Sequence, residues 1–380
     1  MSEGIIPYLI IHCILTLGMK IACDYSYPSW EGNSKRRFNS TSKFVLTVLF
    51  IIYIIFSAYR EIDAGIGGID APFYKAEFEQ MPNLSLLSYI ASSREEAAYT
   101  LLIWVVRRFT CDFKYVLIIV HSIVFVCFTI FIKNTYQKEH DIKNILYIFV
   151  QLGTLFTMFC LIRQGIAIGL CLIYFNKIEQ KEYKNAAIFL VLAILFHNSA
   201  IILIPSLYLS WYMSRNKIVN VKSFIPIILF LMVGEYCLTS LMIKIFSNTA
   251  YSVYDNSAGI ALGTYLIIII CLAFTVLLNR KSEQSFSIDC YQLILMTSLL
   301  CIPIQLVYSI AYRMVLIYIP VVYVVLNNAT HNYNLKLKDD KVSHFLLIIL
   351  AYAYYIYRGF TIYSSDLPSA GLETYKSLLF

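Results

Sequence analysis

The sequence predicts an all-α polytopic membrane protein with about 10–12 transmembrane segments. Hydrophobic residues make up 59% of the 380 residues, charged residues only 14%, and the mean hydropathy is +0.69. Soluble domains have about 45–50% apolar and about 25% charged residues. A soluble chain of 43.8 kDa could not bury this much apolar surface. The composition therefore excludes a soluble globular enzyme, a disordered chain and a fibrous repeat.

Apolar runs of spanning or nearly spanning length recur along the whole chain. They cover residues 5–22, 44–59, 115–132, 145–162, 165–175, 186–212, 224–246, 260–278, 291–310, 314–326 and 345–363. The run at 165–175 is short, whereas 186–212 is long and interrupted by His197. A hairpin of two short segments turning at 197–199 explains the second case. No internal repeat is evident, so we predict one multi-span domain over residues 1–380.

One long polar stretch, residues 60–96, precedes a short apolar segment at 97–106 that ends in Arg107 and Arg108. This segment is too short to span a bilayer comfortably and is typical of an interfacial helix. We therefore predict an outer loop over residues 60–112 that contains an interfacial helix. The positive-inside rule, with residues 23–43 in the cytoplasm, brings the candidate functional residues to the outer face.

Charged groups at the edge of a span are costly and mark candidate functional positions. Arg60 closes the second apolar run, and Asp63 and Asp70 follow it in a glycine-rich segment. These carboxylates could accept a proton or hydrogen-bond sugar hydroxyls. A flexible outer loop behind an interfacial arginine is the structural alternative.

Arg163 and Arg313 each stand in a break between two apolar runs. Arg163 has no acidic residue nearby in sequence, so its partner must come from elsewhere in the chain. The rigid guanidinium fork matches phosphate oxygens, which makes both residues candidate phosphate ligands. An arginine that extends to the membrane interface is the structural alternative.

His197 lies at the predicted turn and is followed directly by Asn198 and Ser199. Histidine exchanges a proton near neutral pH, so proton transfer or a hydrogen bond to phosphate is feasible here. A buried histidine with a purely structural hydrogen bond is the alternative. Together, three arginines, one histidine and two aspartates at one face predict an anionic lipid diphosphate substrate with reacting hydroxyl groups.

Several motifs are absent from the sequence. It lacks D-x-D and H-x-x-x-D, which disfavours a metal–nucleotide-sugar site of the soluble glycosyltransferase kind and a phospholipid-type acyltransferase. H-E-x-x-H, a Walker loop and G-x-S-x-G do not occur either. The ten cysteines are dispersed without a C-x-x-C pair, so neither a zinc site nor a redox pair is indicated. No long run of Lys and Arg occurs, so nucleic acid is not an expected partner.

The order and spacing of these motifs resemble the EpsG-like, or Wzy-type, polymerases of bacterial polysaccharide repeat units. The resemblance rests on Arg60, Gly68-Ile69-Asp70 with Tyr74 four residues later, Arg163-Gln164, Phe196-His197-Asn198-Ser199-Ala200, and Tyr312-Arg313 with Tyr318 downstream. The family's Gly-Thr-Asp is Gly-Ile-Asp here, so a role for the threonine hydroxyl does not carry over. The tail Thr374-Tyr375-Lys376 matches a family Pro-Tyr-Lys only in its last two residues.

The resemblance implies a multi-pass glycosyltransferase of the bacterial inner membrane with a GT-C-like architecture and a periplasmic 60–112 loop. Such enzymes transfer a growing glycan from undecaprenyl diphosphate to a new lipid-linked repeat unit. Their product is the O-antigen of lipopolysaccharide or a capsular or exopolysaccharide. Their partners are the undecaprenyl-diphosphate-linked oligosaccharide, membrane lipid and a chain-length regulator protein. No metal or cofactor is implied.

The resemblance also suggests roles for the candidate residues. Arg60, Arg163 and Arg313 would clamp the donor diphosphate, and His197, Asp70 or Asp63 would take the acceptor proton in an inverting displacement. Sugar and acceptor contacts would come from Tyr74, Gln164, Asn198, Tyr312 and Tyr318. A flippase or other transporter of lipid-linked oligosaccharides, a membrane sugar O-acetyltransferase and a membrane scaffold are the alternative functions.

Overall fold

The computed structural model describes residues 4–28, 36–63, 66–93, 95–136, 141–216, 221–246, 262–278, 286–307, 312–336, 341–372 and 374–378. In chain order its α-helices are α1 (Ile6–Asp24), α2 (Ser40–Ala58), α3 (Ala71–Glu79), α4 (Leu86–Ser92), α5 (Ala97–Arg107), α6 (Lys114–Thr135), α7 (Asp141–Thr157), α8 (Ile162–Glu179), α9 (Tyr183–Phe196), α10 (Ile204–Arg215), α11 (Ile225–Phe246), α12 (Leu262–Leu278), α13 (Phe286–Thr297), α14 (Cys301–Val307), α15 (Tyr312–Val315), α16 (Ile319–Lys336), α17 (Lys341–Thr361) and α18 (Leu367–Ser369). Two-residue strands β1 (Tyr27–Pro28) and β2 (Arg36–Arg37) pair antiparallel.

Four helical stretches in the described part of the chain are long and apolar enough to cross a membrane: Ile6–Asp24, Ser40–Ala58, Lys114–Thr135 and Asp289–Leu306. Five shorter apolar helices accompany them: Ala97–Arg107, Ile142–Thr157, Tyr183–Phe196, Gly263–Ala273 and Arg313–Asn328. The all-α polytopic membrane fold is thereby confirmed. The total of 10–12 segments stays a prediction.

The described residues form two compact units. The first contains residues 1–173, 191–198 and 352–380, and the second contains residues 174–190 and 199–351. The single-domain organisation stays a prediction. In the first unit α1 packs against α2, with the Ser42 hydroxyl donating to the Ala22 carbonyl at 2.8 Å. Gly18 permits this close approach, because a Cβ there would lie 2.6 Å from Leu49.

The predicted break at His197 is confirmed. Helix α9 ends at Phe196, and a 3₁₀ turn (Asn198–Leu203) leads into α10. The Tyr183 hydroxyl at the start of α9 donates to the Ser210 carbonyl in the second half of α10, at 3.2 Å. The chain therefore reverses direction between the two helices, as the hairpin interpretation requires.

The predicted short segment at 165–175 is wrong in length, because α8 has 18 residues. Both ends of α8 contain polar residues that lie outside the apolar run, so the run alone underestimated the length of the helix. Near its carboxyl end Asn176 is buried and accepts a hydrogen bond from the Tyr291 hydroxyl at 3.3 Å. A helix can thus continue through a buried polar side chain whose oxygen accepts a hydrogen bond from another helix.

The predicted outer loop contains three short helices, α3, α4 and α5. Helix α5 coincides with the segment expected to be interfacial, and its apolar stretch ends at Arg107. Its helical structure is confirmed, whereas its position at a membrane interface stays a prediction. These helices place several side chains of the loop beside the start of α8 and the end of α9.

The C-terminal strap, residues 370–372 and 374–378, lies along the glycine loop, residues 60–63 and 66–70. Ile69 N donates to Ala370 O at 2.8 Å, and a further backbone hydrogen bond, also 2.8 Å, joins Glu61 N to Lys376 O. These backbone hydrogen bonds hold the glycine loop, which connects α2 to α3, against the C-terminal strap.

Tyr375 anchors the strap to α2. Its ring stacks on Phe56 with a centroid separation of 4.2 Å, and its hydroxyl donates to the Phe56 carbonyl at 3.2 Å. The tail motif that matches the family only in part therefore contributes to the shape of the loop that carries Asp70.

Gly67 has a φ of +77°, and a Cβ there would lie 2.2 Å from the Glu61 carbonyl oxygen. We expect Gly67→Ala to cost about 1–3 kcal/mol, because both the backbone conformation and the space favour glycine. The melting temperature in detergent should fall by several degrees. Gly234→Ala is the matched control, since a Cβ there meets nothing within 4 Å. Equal melting temperatures for the two variants would show that the glycine loop is not constrained at Gly67.

Candidate functional site

Arg163 lies in the first turn of α8, where the positive end of the helix dipole disfavours a cation. Its Nη1 forms salt bridges with the carboxylates of Glu95 and Glu96. Its Nε donates to the Tyr74 hydroxyl at 3.1 Å, and the guanidinium lies 5.3 Å from the centroid of that ring. The partners that the sequence left unidentified are thus two adjacent glutamates.

Glu96 is the residue that joins the separate segments of the site. It occupies the N-cap position of α5, but its side chain does not cap that helix. One oxygen, Oε1, accepts from His197 Nδ1 at 2.9 Å and from the Asn198 backbone N–H at 3.2 Å. The other, Oε2, binds Arg163. A single carboxylate therefore connects the start of α5, the start of α8 and the end of α9.

The surroundings of Glu96 keep it ionised. Burial raises the pKa of its carboxyl, but the hydrogen bond with His197 and the charge of Arg163 outweigh burial and lower this pKa to about 2. The N-terminus of α5 favours the anion in addition. The pKa of Glu95 is raised instead, because burial and the neighbouring charge of Glu96 exceed the effect of Arg163.

Glu77 adds a third carboxyl to the same region. Burial, together with the charge of Glu95, raises its pKa to about 7. Its Oε2 is buried and has no hydrogen-bond partner within the described residues. Glu77 therefore holds a proton below neutral pH and can lose it just above, whereas Glu96 remains an anion.

His197 is oriented by Glu96 and keeps an accessible face. Its side chain is 22% exposed, and in the part of the chain that the structure describes its Nε2 has no hydrogen-bond partner. Asn198 contributes its backbone N–H to Glu96, and its side chain is exposed. The structure thus brings together Tyr74, Arg163 and His197.

The two candidate aspartates occupy different positions in the loop. Asp70 directly precedes α3, and its backbone carbonyl accepts from Tyr74 N at 3.3 Å. Burial raises the pKa of the Tyr74 hydroxyl, Arg163 opposes this, and the charge of Asp70 adds to the rise. Asp63 is exposed and pairs through its backbone with Ile66. The charge of Asp70 therefore acts on Tyr74, which contacts Arg163.

Arg60, the third arginine predicted to bind the diphosphate, is only 1% exposed, and that role stays a prediction. Its Nε donates to the Gly67 carbonyl at 3.0 Å and its Nη2 to the Phe159 carbonyl at 2.8 Å. Its Nη1 donates to the Ser57 carbonyl and lies 3.2 Å from His121 Nε2. Arg60 therefore joins the end of α2 to the glycine loop and to the end of α7.

The remaining candidates divide between the two units. Gln164, in the first unit, is buried at 3% exposure, which argues against direct sugar contact. Tyr318, in the second, is fully buried, and its hydroxyl donates to the Ile202 carbonyl at 3.3 Å. Its role at the acceptor site stays a prediction. Arg313 is half-buried at the start of α15, and its diphosphate role stays a prediction. The side chain of Tyr312 lies outside the described residues.

Sequence reasoning missed Glu77, Glu95 and Glu96. They lie within a polar stretch that contains many charged residues, so none stood out. Two signals were nevertheless present: Arg163 lacked a partner, and Glu95-Glu96 directly precede the apolar run at 97–106. Acidic residues at the N-terminus of a helix in an outer loop are well placed to meet an unpaired arginine.

We expect Arg60→Met to destabilise the protein, because three carbonyl oxygens lose their donor and each unpaired group costs about 1–3 kcal/mol. The melting temperature in detergent should fall by at least several degrees. Arg215→Met is the control, since that side chain is exposed at the end of α10. An unchanged melting temperature combined with loss of substrate binding would contradict this structural role and support the diphosphate role.

Glu77→Gln should stabilise the protein at high pH. A carboxyl whose pKa is raised to about 7 in the folded state destabilises the fold as pH rises from about 4.5 through 7. The variant should therefore be more stable than the wild type at pH 8, by on the order of 1–3 kcal/mol, and equal to it near pH 4.5. Melting temperatures across this range measure the effect. A gain that does not depend on pH would contradict it.

A family model described as EpsG family matches residues 43–377, which is most of the chain. No curated protein and no solved structure matches it. The matched region includes most of α2, the carboxylate cluster, Arg163, His197 and most of the C-terminal strap. EpsG-family proteins are membrane proteins with a polysaccharide polymerase-like role. The chain therefore belongs to the EpsG family.

Proposed function

We propose that this protein polymerises undecaprenyl-diphosphate-linked oligosaccharide repeat units at the periplasmic face of the bacterial inner membrane. The growing glycan is transferred to a new lipid-linked unit, which yields O-antigen or a capsular or exopolysaccharide. The observation that supports the proposal most directly is the pairing of Arg163 and His197 on one carboxylate, Glu96. A cation for the leaving group and a base for the acceptor thereby stand next to each other.

Arg163 is suited to stabilise the diphosphate as it leaves. Its Nη1 and Nε are occupied by Glu95, Glu96 and Tyr74, whereas its Nη2 has no hydrogen-bond partner among the described residues. The Nη2 group can donate to a phosphate oxygen without breaking those contacts. Charge-assisted donors placed where negative charge develops lower the barrier for departure of the leaving group. Arg313 is the sequence-based candidate for a second phosphate contact.

The acceptor hydroxyl needs a base, for which His197, Asp70 and Asp63 are the candidates. Removal of the proton would accompany attack of the hydroxyl oxygen on the anomeric carbon, with inversion of configuration. A neutral Glu77 reduces the negative charge that an incoming diphosphate meets. No metal is required for this scheme, since the cation comes from the protein.

The proposal is tested with purified protein in detergent and synthetic undecaprenyl-diphosphate repeat units. The wild type should form a ladder of glycans on gels, with or without EDTA. Arg163→Ala should reduce the rate by about 10²-fold or more, as loss of one charge-stabilising donor typically does, and Arg163→Lys should restore part of it. Arg215→Ala, an exposed arginine, is the control and should leave the ladder intact.

Two outcomes would contradict the proposal. If the wild type leaves a confirmed cognate repeat unit intact, the transporter interpretation replaces the polymerase, and movement of the unit across vesicle membranes should then be measured. If Arg163→Ala forms normal ladders, the diphosphate site lies elsewhere in the chain.

A further inference from the structure

We propose that Glu96 is a positioning residue that holds the proton of His197 on Nδ1, so that Nε2 is the general base for the acceptor hydroxyl. This inference rests on the proposed polymerase function and selects one base among the three candidates. It also gives a role to a residue that no sequence motif identified.

The tautomer follows from the chemistry of the contact. An ionised carboxylate can only accept hydrogen bonds, so at 2.9 Å from Glu96 Oε1 the His197 Nδ1 must carry a hydrogen. In the neutral ring the lone pair is then on Nε2. This is the nitrogen that lacks a hydrogen-bond partner among the described residues.

The carboxylate itself is held in place on both of its oxygens. Oε1 also accepts from the Asn198 backbone N–H at 3.2 Å, and Oε2 pairs with Arg163. Its side chain is only 9% exposed, so water competes little for these contacts. An anion fixed by three donors from two other segments of the chain can hold an imidazole in one orientation.

The charged and titratable groups around His197 come from three helical segments. Glu96 binds it directly, Arg163 and Glu95 lie on the far side of that carboxylate, and the charge of Glu77 acts on Glu95. Glu95 pairs with Arg163, whereas Glu96 also binds His197. These adjacent glutamates therefore provide a matched pair for experiments.

In the proposed transfer step, the acceptor oxygen forms a bond to the anomeric carbon of the donor while its proton passes to His197 Nε2. The bond from that carbon to the diphosphate oxygen breaks, and its electron pair leaves with the diphosphate near Arg163. The imidazolium, stabilised by Glu96, then returns its proton to the released diphosphate or to water.

The tautomer is measured without any activity assay. Protein labelled with ¹⁵N-histidine in lipid bilayers is compared by solid-state NMR with His197→Asn, which identifies the His197 signals. We expect the wild type and Glu95→Gln to show a protonated Nδ1 and an unprotonated Nε2 at pH 8. Glu96→Gln should shift His197 to a mixture of tautomers. An unchanged spectrum in Glu96→Gln would overturn the inference.

Kinetics test the catalytic consequence. Glu96→Gln should lower kcat by about 10²-fold or more, in line with loss of an oriented base, with KM for the lipid-linked unit changed less than about threefold. Glu96→Asp should recover part of kcat. Glu79→Gln, an exposed carboxylate at the end of α3, is the control and should behave as the wild type.

The two proposals fail in different ways. A wild type that forms no glycosidic bond overturns the polymerase function, and the role of Nε2 as base falls with it, even where the NMR tautomer is as expected. A wild type that polymerises, with a Glu96→Gln variant of normal kcat, leaves the polymerase intact and overturns only the positioning role.

Discussion

The Glu96 carboxylate is the contact on which the candidate site depends. It takes hydrogen bonds from His197 and the Asn198 backbone and an ion pair from Arg163, and these groups come from separate parts of the chain. Without it Arg163 would retain Glu95, but the end of α9 would lose its direct link to α5 and α8. A largely buried anion is stable here because its desolvation is offset by three donors and by the N-terminus of α5.

Arg60 and Arg163 show how burial separates two residues of the same type. Arg60 directs its guanidinium to the carbonyls of Ser57, Gly67 and Phe159, and it is almost completely buried. Arg163 pairs with carboxylates and retains side-chain exposure of 19%. Arg60 holds the glycine loop in place, and the C-terminal strap contacts the same loop. Arg163, by contrast, is accessible to a ligand. The same type of side chain therefore occupies two different environments in one molecule.

The membrane fold could be predicted because the lipid bilayer requires an apolar composition and long apolar runs, whatever the tertiary contacts of the helices are. The turn at His197 was also predictable, since a polar group interrupts a run that is longer than one span needs. The partner of Arg163 was not, because Glu96 lies 67 positions away in sequence and only folding brings the two together. The role of Arg60 could not be predicted either, because a guanidinium at a span end has the same sequence context whether it faces carbonyls or a ligand.

An experimental structure in lipid nanodiscs, with a lipid-linked diphosphate donor bound, would test the roles of Arg163, Glu96 and His197 together. We expect diphosphate density within hydrogen-bond distance of Arg163, with the His197 Nδ1 still held by Glu96 and Nε2 facing the sugar. Diphosphate bound away from Arg163, or a His197 that no longer contacts Glu96 in the bound state, would show that these residues do not form the catalytic centre.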